Sequence, residues 1–113
     1  MARIGLVTFR GASRTKYVFT AFDFNQPFQS AGGVYVVTRR AKKAVGGVQH
    51  EMIYVGETDD FSRLQNLLET HRRGECFKEH YANCLCLHSD SDPKSRKTKQ
   101  ADLIRKFTPA CRD

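Results

Sequence analysis

The sequence lacks any long run of apolar residues. No stretch approaches the roughly 20 residues that a helix needs to cross a bilayer. The first ten residues, MARIGLVTFR, alternate charged and apolar side chains where a signal peptide would have an apolar core. Apart from two successive hairpin patterns there is no internal repeat, and no segment has low complexity. These absences argue against a membrane partner and predict a globular, cytoplasmic protein.

The sequence also lacks the C-x-x-C pairs that are typical of structural zinc sites. Its four cysteines are Cys76, Cys84, Cys86 and Cys111. The run CLCL predicts a buried strand for Cys84 and Cys86, and a cytoplasmic location predicts reduced, metal-free thiols. One alternative stays open, because Cys84, Cys86 and His88 would share one face of that strand. Other potential zinc ligands are nearby in the sequence, at His71, Cys76 and His80.

Acidic residues are few relative to basic ones. The 113 residues, enough for one domain, include 12 Asp and Glu against 19 Lys and Arg, a net charge of +7. Six of the basic side chains fall between positions 94 and 106. A positive surface attracts polyanions without specificity, so the charge is compatible with DNA binding but does not locate a site.

Alternating apolar residues predict two successive β-hairpins. The first joins residues 3–10 to residues 17–22, and the second joins GGVYVVTRR to HEMIYVGE through an enlarged turn at residues 39–50. A buried strand is expected at residues 83–88.

Three helices are expected after the hairpins. The spacing of leucines predicts a helix over residues 62–71 that Gly74 closes, and a shorter helix follows at residues 76–82. Asp92 as N-cap and Pro93 at the first helical position begin the last helix, which ends before Pro109. Its predicted core-facing residues are Ala101, Leu103, Ile104 and Phe107.

Two tripeptides in the second hairpin each pair a tyrosine with a glycine. They are Gly33-Val34-Tyr35 and Tyr54-Val55-Gly56, and Arg63 and His71 follow on the next predicted helix. In this order they resemble the name motifs of the GIY-YIG nuclease superfamily, here as GVY and YVG. The resemblance runs from about position 32 to about position 111 and includes the closing segment ADLIRKFTPAC.

The resemblance implies an α+β, sandwich-like fold. It consists of a small antiparallel three-stranded sheet flanked by helices, with an extra N-terminal β-hairpin. Residues 1–31 would form the hairpin extension and residues 32–113 the nuclease-like domain, together one compact domain. The implied activity is hydrolysis of DNA phosphodiester bonds.

Roles for individual residues also follow from the resemblance. Tyr35, with a lowered pKa, would act as general base, and Tyr54 would position water or phosphate. Arg63 would stabilise charge on the phosphate with its planar guanidinium, and His71 would assist proton transfer or phosphate binding. The basic side chains expected to bind nucleic acid are Arg39, Arg40, Lys97 and Lys99.

The chain departs from the superfamily at position 100. Members carry a glutamate there that holds a single Mg²⁺ or Mn²⁺, whereas this chain has Gln100, whose amide has no negative charge. Asp102 is expected to point away from the sheet, and Glu57 is a poor substitute at a strand end. Arg112 replaces a usual asparagine. Three explanations fit Gln100: a natural pseudonuclease, an engineered inactivation of an active enzyme, or unusual metal ligation.

The sequence therefore predicts a metal-dependent DNA endonuclease of GIY-YIG type that Gln100 impairs. The alternative is a noncatalytic nucleic-acid-binding module, and a zinc-holding interaction domain is a third hypothesis. No small-molecule cofactor is expected. Because the chain has no visible recognition domain, a protein partner or a dimer would have to supply sequence specificity.

Overall fold

The computed structural model describes residues 3–113. Two hairpins come first, as predicted. The first consists of strands β1 (Arg3–Arg10) and β2 (Lys16–Phe22), and the second of strands β3 (Gly33–Lys42) and β4 (Val48–Thr58). A fifth strand, β5 (Cys84–Ser89), lies between them in space.

The helices before the last one are shorter than predicted. A 3₁₀-helix (Phe61–Leu64) precedes two short helices, α1 (Leu67–Thr70) and α2 (Gly74–Glu79), and the chain ends with α3 (Pro93–Phe107). None of the helices in residues 3–113 is both long and apolar enough to cross a membrane.

All neighbouring strands in the sheet are antiparallel, in the order β1-β2-β5-β3-β4. The predicted α+β class is confirmed, but the sheet has five strands where a three-stranded sheet was predicted. Strand β5 pairs with β3 on one side, and residues 85–87 pair with residues 20–22 of β2 on the other. The N-terminal hairpin is thereby part of the same five-stranded sheet.

The turn of the second hairpin is shorter than predicted. Pairing continues to the contact between Lys42 and Val48, so the turn contains only residues 43–47. Gly46 and Gly47 both have positive φ there, a backbone conformation that glycine adopts without strain. Most of the residues between Tyr35 and Tyr54 therefore belong to the two strands and not to the turn.

The predicted helix at residues 62–71 is divided in two. Asn66 adopts the left-handed conformation, with φ of 59°, and separates the 3₁₀-helix from α1. Gly74 begins α2 instead of closing the preceding helix. A Cβ atom at Gly74 would lie 2.2 Å from the carbonyl oxygen of Leu68, so only glycine allows this close approach.

Both faces of the sheet are covered by helices, with a hydrophobic cluster on each. Tyr35, Tyr54 and Phe77 belong to the cluster on the α1 and α2 side, whereas Cys86 and Leu103 belong to the cluster on the α3 side. The predicted apolar stripe of α3 is only partly correct. Leu103 is fully buried, but Ala101 and Phe107 are exposed, and the charged residues Arg96 and Asp102 are buried instead.

Asp102 contacts the first hairpin, contrary to the prediction that it points away from the sheet. Its carboxylate accepts hydrogen bonds from the hydroxyl of Tyr17 (2.7 Å) and from the hydroxyl and backbone N–H of Ser13 (2.6 and 2.8 Å). The prediction was wrong because the sheet extends by two strands beneath α3.

Two of the four cysteines form a disulfide, so the prediction that all are reduced is wrong for this pair. Cys76 of α2 is bonded to Cys111, 35 positions later, with their Cα atoms 6.1 Å apart. Cys84 and Cys86 are free and buried, as predicted. The disulfide attaches the segment after α3 to the helical layer.

Candidate functional site

The two motif tyrosines lie on the same face of the sheet. Tyr35 of β3 and Tyr54 of β4 are both buried, and their ring centroids are 5.9 Å apart. In the strand register Tyr35 is opposite Gly56. The second hairpin therefore brings the two hydroxyl groups to one place, as the sequence predicts.

The glycines of both motifs are required by close packing. A Cβ atom at Gly56 would lie 2.3 Å from Cζ of Tyr35, and one at Gly33 would lie 2.2 Å from the carbonyl oxygen of His88. Real Cβ contacts essentially never come under 3.0 Å. Gly56 thus leaves the space that the ring of Tyr35 occupies.

His71 is held beside Tyr35 in a defined orientation. Its Nδ1 accepts a hydrogen bond from the backbone N–H of Arg73 (2.9 Å), and its Nε2 is 2.9 Å from the hydroxyl of Tyr35. Burial lowers the pKa of His71, which favours the neutral ring. Because Nδ1 is an acceptor, the neutral ring carries its proton on Nε2 and donates it to the oxygen of Tyr35.

Tyr54 contacts a carboxylate, that of Asp113, which no sequence pattern singled out. Its hydroxyl donates to Oδ2 of Asp113 at 2.9 Å. Arg72 donates to the same carboxylate through Nε (3.0 Å to Oδ1) and Nη2, and Nε of Arg73 lies 3.4 Å from Oδ1. The Arg72 hydrogen bond is the main reason that the pKa of Asp113 is lowered to about 2.

The expected lowering of the Tyr35 pKa is not found. Burial raises the pKa of Tyr35 well above its ordinary value, and burial together with Asp113 raises the pKa of Tyr54. Both phenols are therefore protonated at neutral pH in the described chain. Tyr35 can donate a hydrogen bond, but it needs an additional positive charge nearby to become a general base.

Gln100 of α3 reaches the tyrosines around the edge of the sheet. Strand β4 is an edge strand, and the carbonyl oxygen of Val55 accepts a hydrogen bond from Nε2 of Gln100 at 3.2 Å. Gln100 lines a cavity of about 280 Å³. The other lining residues are Tyr35, Tyr54, Glu57, His71, Arg72 and Asp113.

The oxygen atoms in this cavity fit a divalent metal poorly. The amide nitrogen of Gln100 is held by the carbonyl of Val55, which leaves a neutral oxygen as its only ligand atom. The carboxylate of Glu57 is paired with Arg96, with 3.4 Å between Nε and Oε2. Mg²⁺ and Mn²⁺ prefer anionic oxygen ligands; Gln100 has none, and the negative charge of Glu57 is already shared with Arg96.

Two of the predicted basic residues stand at the rim of this site. Arg63 is largely exposed and paired with Asp59 (3.0 Å), and it shares one depression with Tyr35 and His71. A second depression is lined by Arg63 together with Lys97 of α3. A chain of basic groups therefore extends from the tyrosines toward the start of α3.

The other three predicted basic residues are elsewhere. Arg39 and Arg40 belong to the far half of β3, where Arg39 pairs with Glu51. Lys99 is largely buried, with Nζ 2.8 Å from both Oδ2 of Asp90 and Nε2 of His88. Lys99 is thus engaged within the protein.

Sequence reasoning missed Arg72 and Asp113 and gave Glu57 too little weight. Glu57 directly follows the second motif and lines all three depressions around Tyr35 and Arg63. Its place after Gly56 was a usable signal, whereas no local pattern distinguishes Asp113. Comparison with known protein families, curated proteins and solved structures finds no match for this chain.

Proposed function

We propose that this chain is a DNA endonuclease of GIY-YIG type whose hydrolytic activity is impaired by Gln100. The observation that carries the proposal is the meeting of Tyr35, Tyr54, His71 and Gln100 at one cavity, with Arg63 on its rim. Tyr35, Tyr54, Arg63 and His71 are of the residue types that the resemblance implies, whereas Gln100 stands in place of its glutamate. A phosphodiester is the substrate class that such phenol, imidazole and guanidinium groups suit.

In the present sequence these groups favour binding over hydrolysis. The hydroxyl oxygen of Tyr35 accepts a hydrogen bond from Nε2–H of His71, so its own O–H can donate to a nonbridging phosphate oxygen. Arg63 and Arg72 contribute positive charge, although Asp113 neutralises part of it. Deprotonation of Tyr35 is disfavoured by burial, and Gln100 has no negative charge with which to hold a metal cation near the phenol.

This reasoning also supports the second candidate, a noncatalytic nucleic-acid-binding module. The specific observation in its favour is that no uncommitted carboxylate lines the cavity: Glu57 is paired with Arg96, and Asp113 with Arg72. The two candidates share the phosphate-binding groups and differ only in turnover.

The variant Gln100→Glu distinguishes the two candidates. A carboxylate at position 100 adds an anionic oxygen beside Tyr54, and with Mg²⁺ or Mn²⁺ we expect DNA cleavage to rise at least ~100-fold, or about 2.7 kcal/mol of transition-state stabilisation. The variant also loses the hydrogen bond to Val55, so its melting temperature should fall without metal and recover with it.

Two controls isolate the position and the charge. Gln49→Glu adds the same charge at an exposed site on β4, and Gln100→Met keeps the length of the side chain without an oxygen. Neither should gain activity. Tyr35→Phe or Arg63→Ala in the Gln100→Glu background should remove the gain. If Gln100→Glu is stabilised by metal and still does not cleave DNA, the noncatalytic module is the better description.

A further inference from the structure

A second cluster of metal-ligating side chains lies away from the proposed phosphate site. Cys76 is in α2, His80 caps the end of that helix, and Cys111 lies beyond α3. One ligand atom from each residue lies within 4.8 Å of the other two. The role of this cluster does not depend on the proposed function.

The backbone presents the three groups in a favourable arrangement. Cys76 and His80 are four positions apart, which places them on one side of a helical turn, and the N–H of His80 donates to the carbonyl of Cys76 (3.2 Å). Cys111 is anchored opposite them, because its N–H donates to the carbonyl of Ile53 on β4 at 2.8 Å. Backbone hydrogen bonds therefore hold both segments that carry the ligands.

We propose that Cys76, His80 and Cys111 form a zinc site when the disulfide is reduced. A dithiol reductant supplies two electrons and two protons, which break the Sγ–Sγ bond and give two thiols, while the reductant itself becomes a disulfide. Zn²⁺ then binds the two thiolates and the imidazole, with release of the two thiol protons. The two cysteines therefore either form the disulfide or bind zinc together with His80.

The distances and the burial fit this ligand set. Tetrahedral zinc keeps its sulfur and nitrogen ligands about 3.5–3.8 Å apart, so side-chain movements of about 1 Å suffice. Cys111 is buried, whereas Cys76 and His80 are half-buried, which leaves the fourth position open toward solvent. Two thiolates with one imidazole select zinc over Mg²⁺ or Mn²⁺.

The other thiol cluster, His50 with Cys84 and Cys86, is the weaker candidate. Both thiols are fully buried, and Nδ1 of His50 is already 2.9 Å from the hydroxyl of Thr38. It serves as the internal comparison for the experiment.

The test measures bound zinc in reduced and oxidised protein. After reduction and dialysis against ZnCl₂, the unmodified chain should hold one zinc that the oxidised chain does not. His80→Ala keeps both cysteines and should lower the zinc affinity of the reduced protein at least about 10-fold. Cobalt substituted into the reduced chain should show thiolate-to-metal charge-transfer absorption that His80→Ala weakens.

Two further measurements keep the result interpretable. Thiol titration of the unfolded, oxidised protein should give two free thiols with and without His80→Ala, which shows that the variant still forms the disulfide. Cys84→Ala should retain zinc. The proposal would be overturned if the reduced chain bound no zinc or if His80→Ala bound it as tightly as the unmodified chain. It would also be overturned if Cys84→Ala lost zinc while His80→Ala kept it.

Discussion

Replacing Gly56 by alanine should destabilise the protein strongly, because Tyr35 occupies the space above it. The added Cβ atom would be 2.3 Å from Cζ and 2.5 Å from the hydroxyl oxygen of Tyr35. Ordinary contact begins at 3.4 Å, so the ring must retreat by about 1.1 Å. A shift of that size disrupts the 2.9 Å hydrogen bond to His71.

The expected cost combines two effects. Overpacking a well-filled interior costs about 1–3 kcal/mol, and a lost hydrogen bond costs about 1 kcal/mol, so we expect about 2–4 kcal/mol. Urea unfolding followed by circular dichroism measures it. With an m-value of about 2 kcal/mol/M, the midpoint should fall by about 1–2 M.

Gly5→Ala is the matched control. Gly5 also lies in a strand, β1, but its added Cβ atom would have no neighbour within 4 Å. We expect a change of less than about 0.5 kcal/mol. In the background Tyr35→Leu, which lacks Cζ, Gly56→Ala should cost at least about 1 kcal/mol less than it does alone. Equal effects of Gly56→Ala and Gly5→Ala would refute the reasoning.

Three further predictions concern charge. The pKa of Asp113 is depressed to about 2, below the unfolded value of about 3.9, so its stabilising effect is present above pH 4 and is lost as the pH falls toward 2. The melting temperatures of the unmodified chain and Asp113→Asn should therefore differ at pH 6 and converge by pH 2, with Asp23→Asn as an exposed control. Lys97→Glu should weaken DNA binding at low salt and make its salt dependence shallower, without loss of stability. Lys99→Glu should lower stability, because it replaces the partner of Asp90, whose Oδ2 is 2.8 Å from Nζ of Lys99, by a side chain of the same charge as Asp90. A salt titration and a thermal melt of each variant separate the two outcomes.

Local rules predicted the hairpins and the start of α3 correctly. Alternation of apolar residues defines strands within a few positions, and Asp92 with Pro93 is a strong start signal because both act on adjacent backbone groups. The side chain of Asp92 does accept from the N–H of Lys94. The division of the helix at Asn66 was missed, because the leucine spacing carries no information about the left-handed backbone conformation of Asn66.

The site shows the same limit. The meeting of Tyr35 with Tyr54 could be predicted from the hairpin pattern, and the resemblance added Gln100 to the same site. The carboxylate of Asp113 could not, because its position depends on where the segment after α3 turns back. That turn is fixed by a disulfide between residues 35 positions apart, and no local pattern encodes such a contact.

The placement of β5 between the two hairpins affects how the chain is made. A ribosome releases both hairpins before residues 84–89, and until then β2 and β3 have no shared partner. Until then, β2 and β3 are exposed edges in addition to the permanent edges β1 and β4, and exposed strand edges are the usual starting points of aggregation. Deleting residues 3–31 would leave the β2-facing edge of β5 permanently unpaired. The first hairpin therefore covers an edge of β5 as soon as β5 is made. Its removal should lower the yield of native protein during synthesis even if the other strands pair correctly.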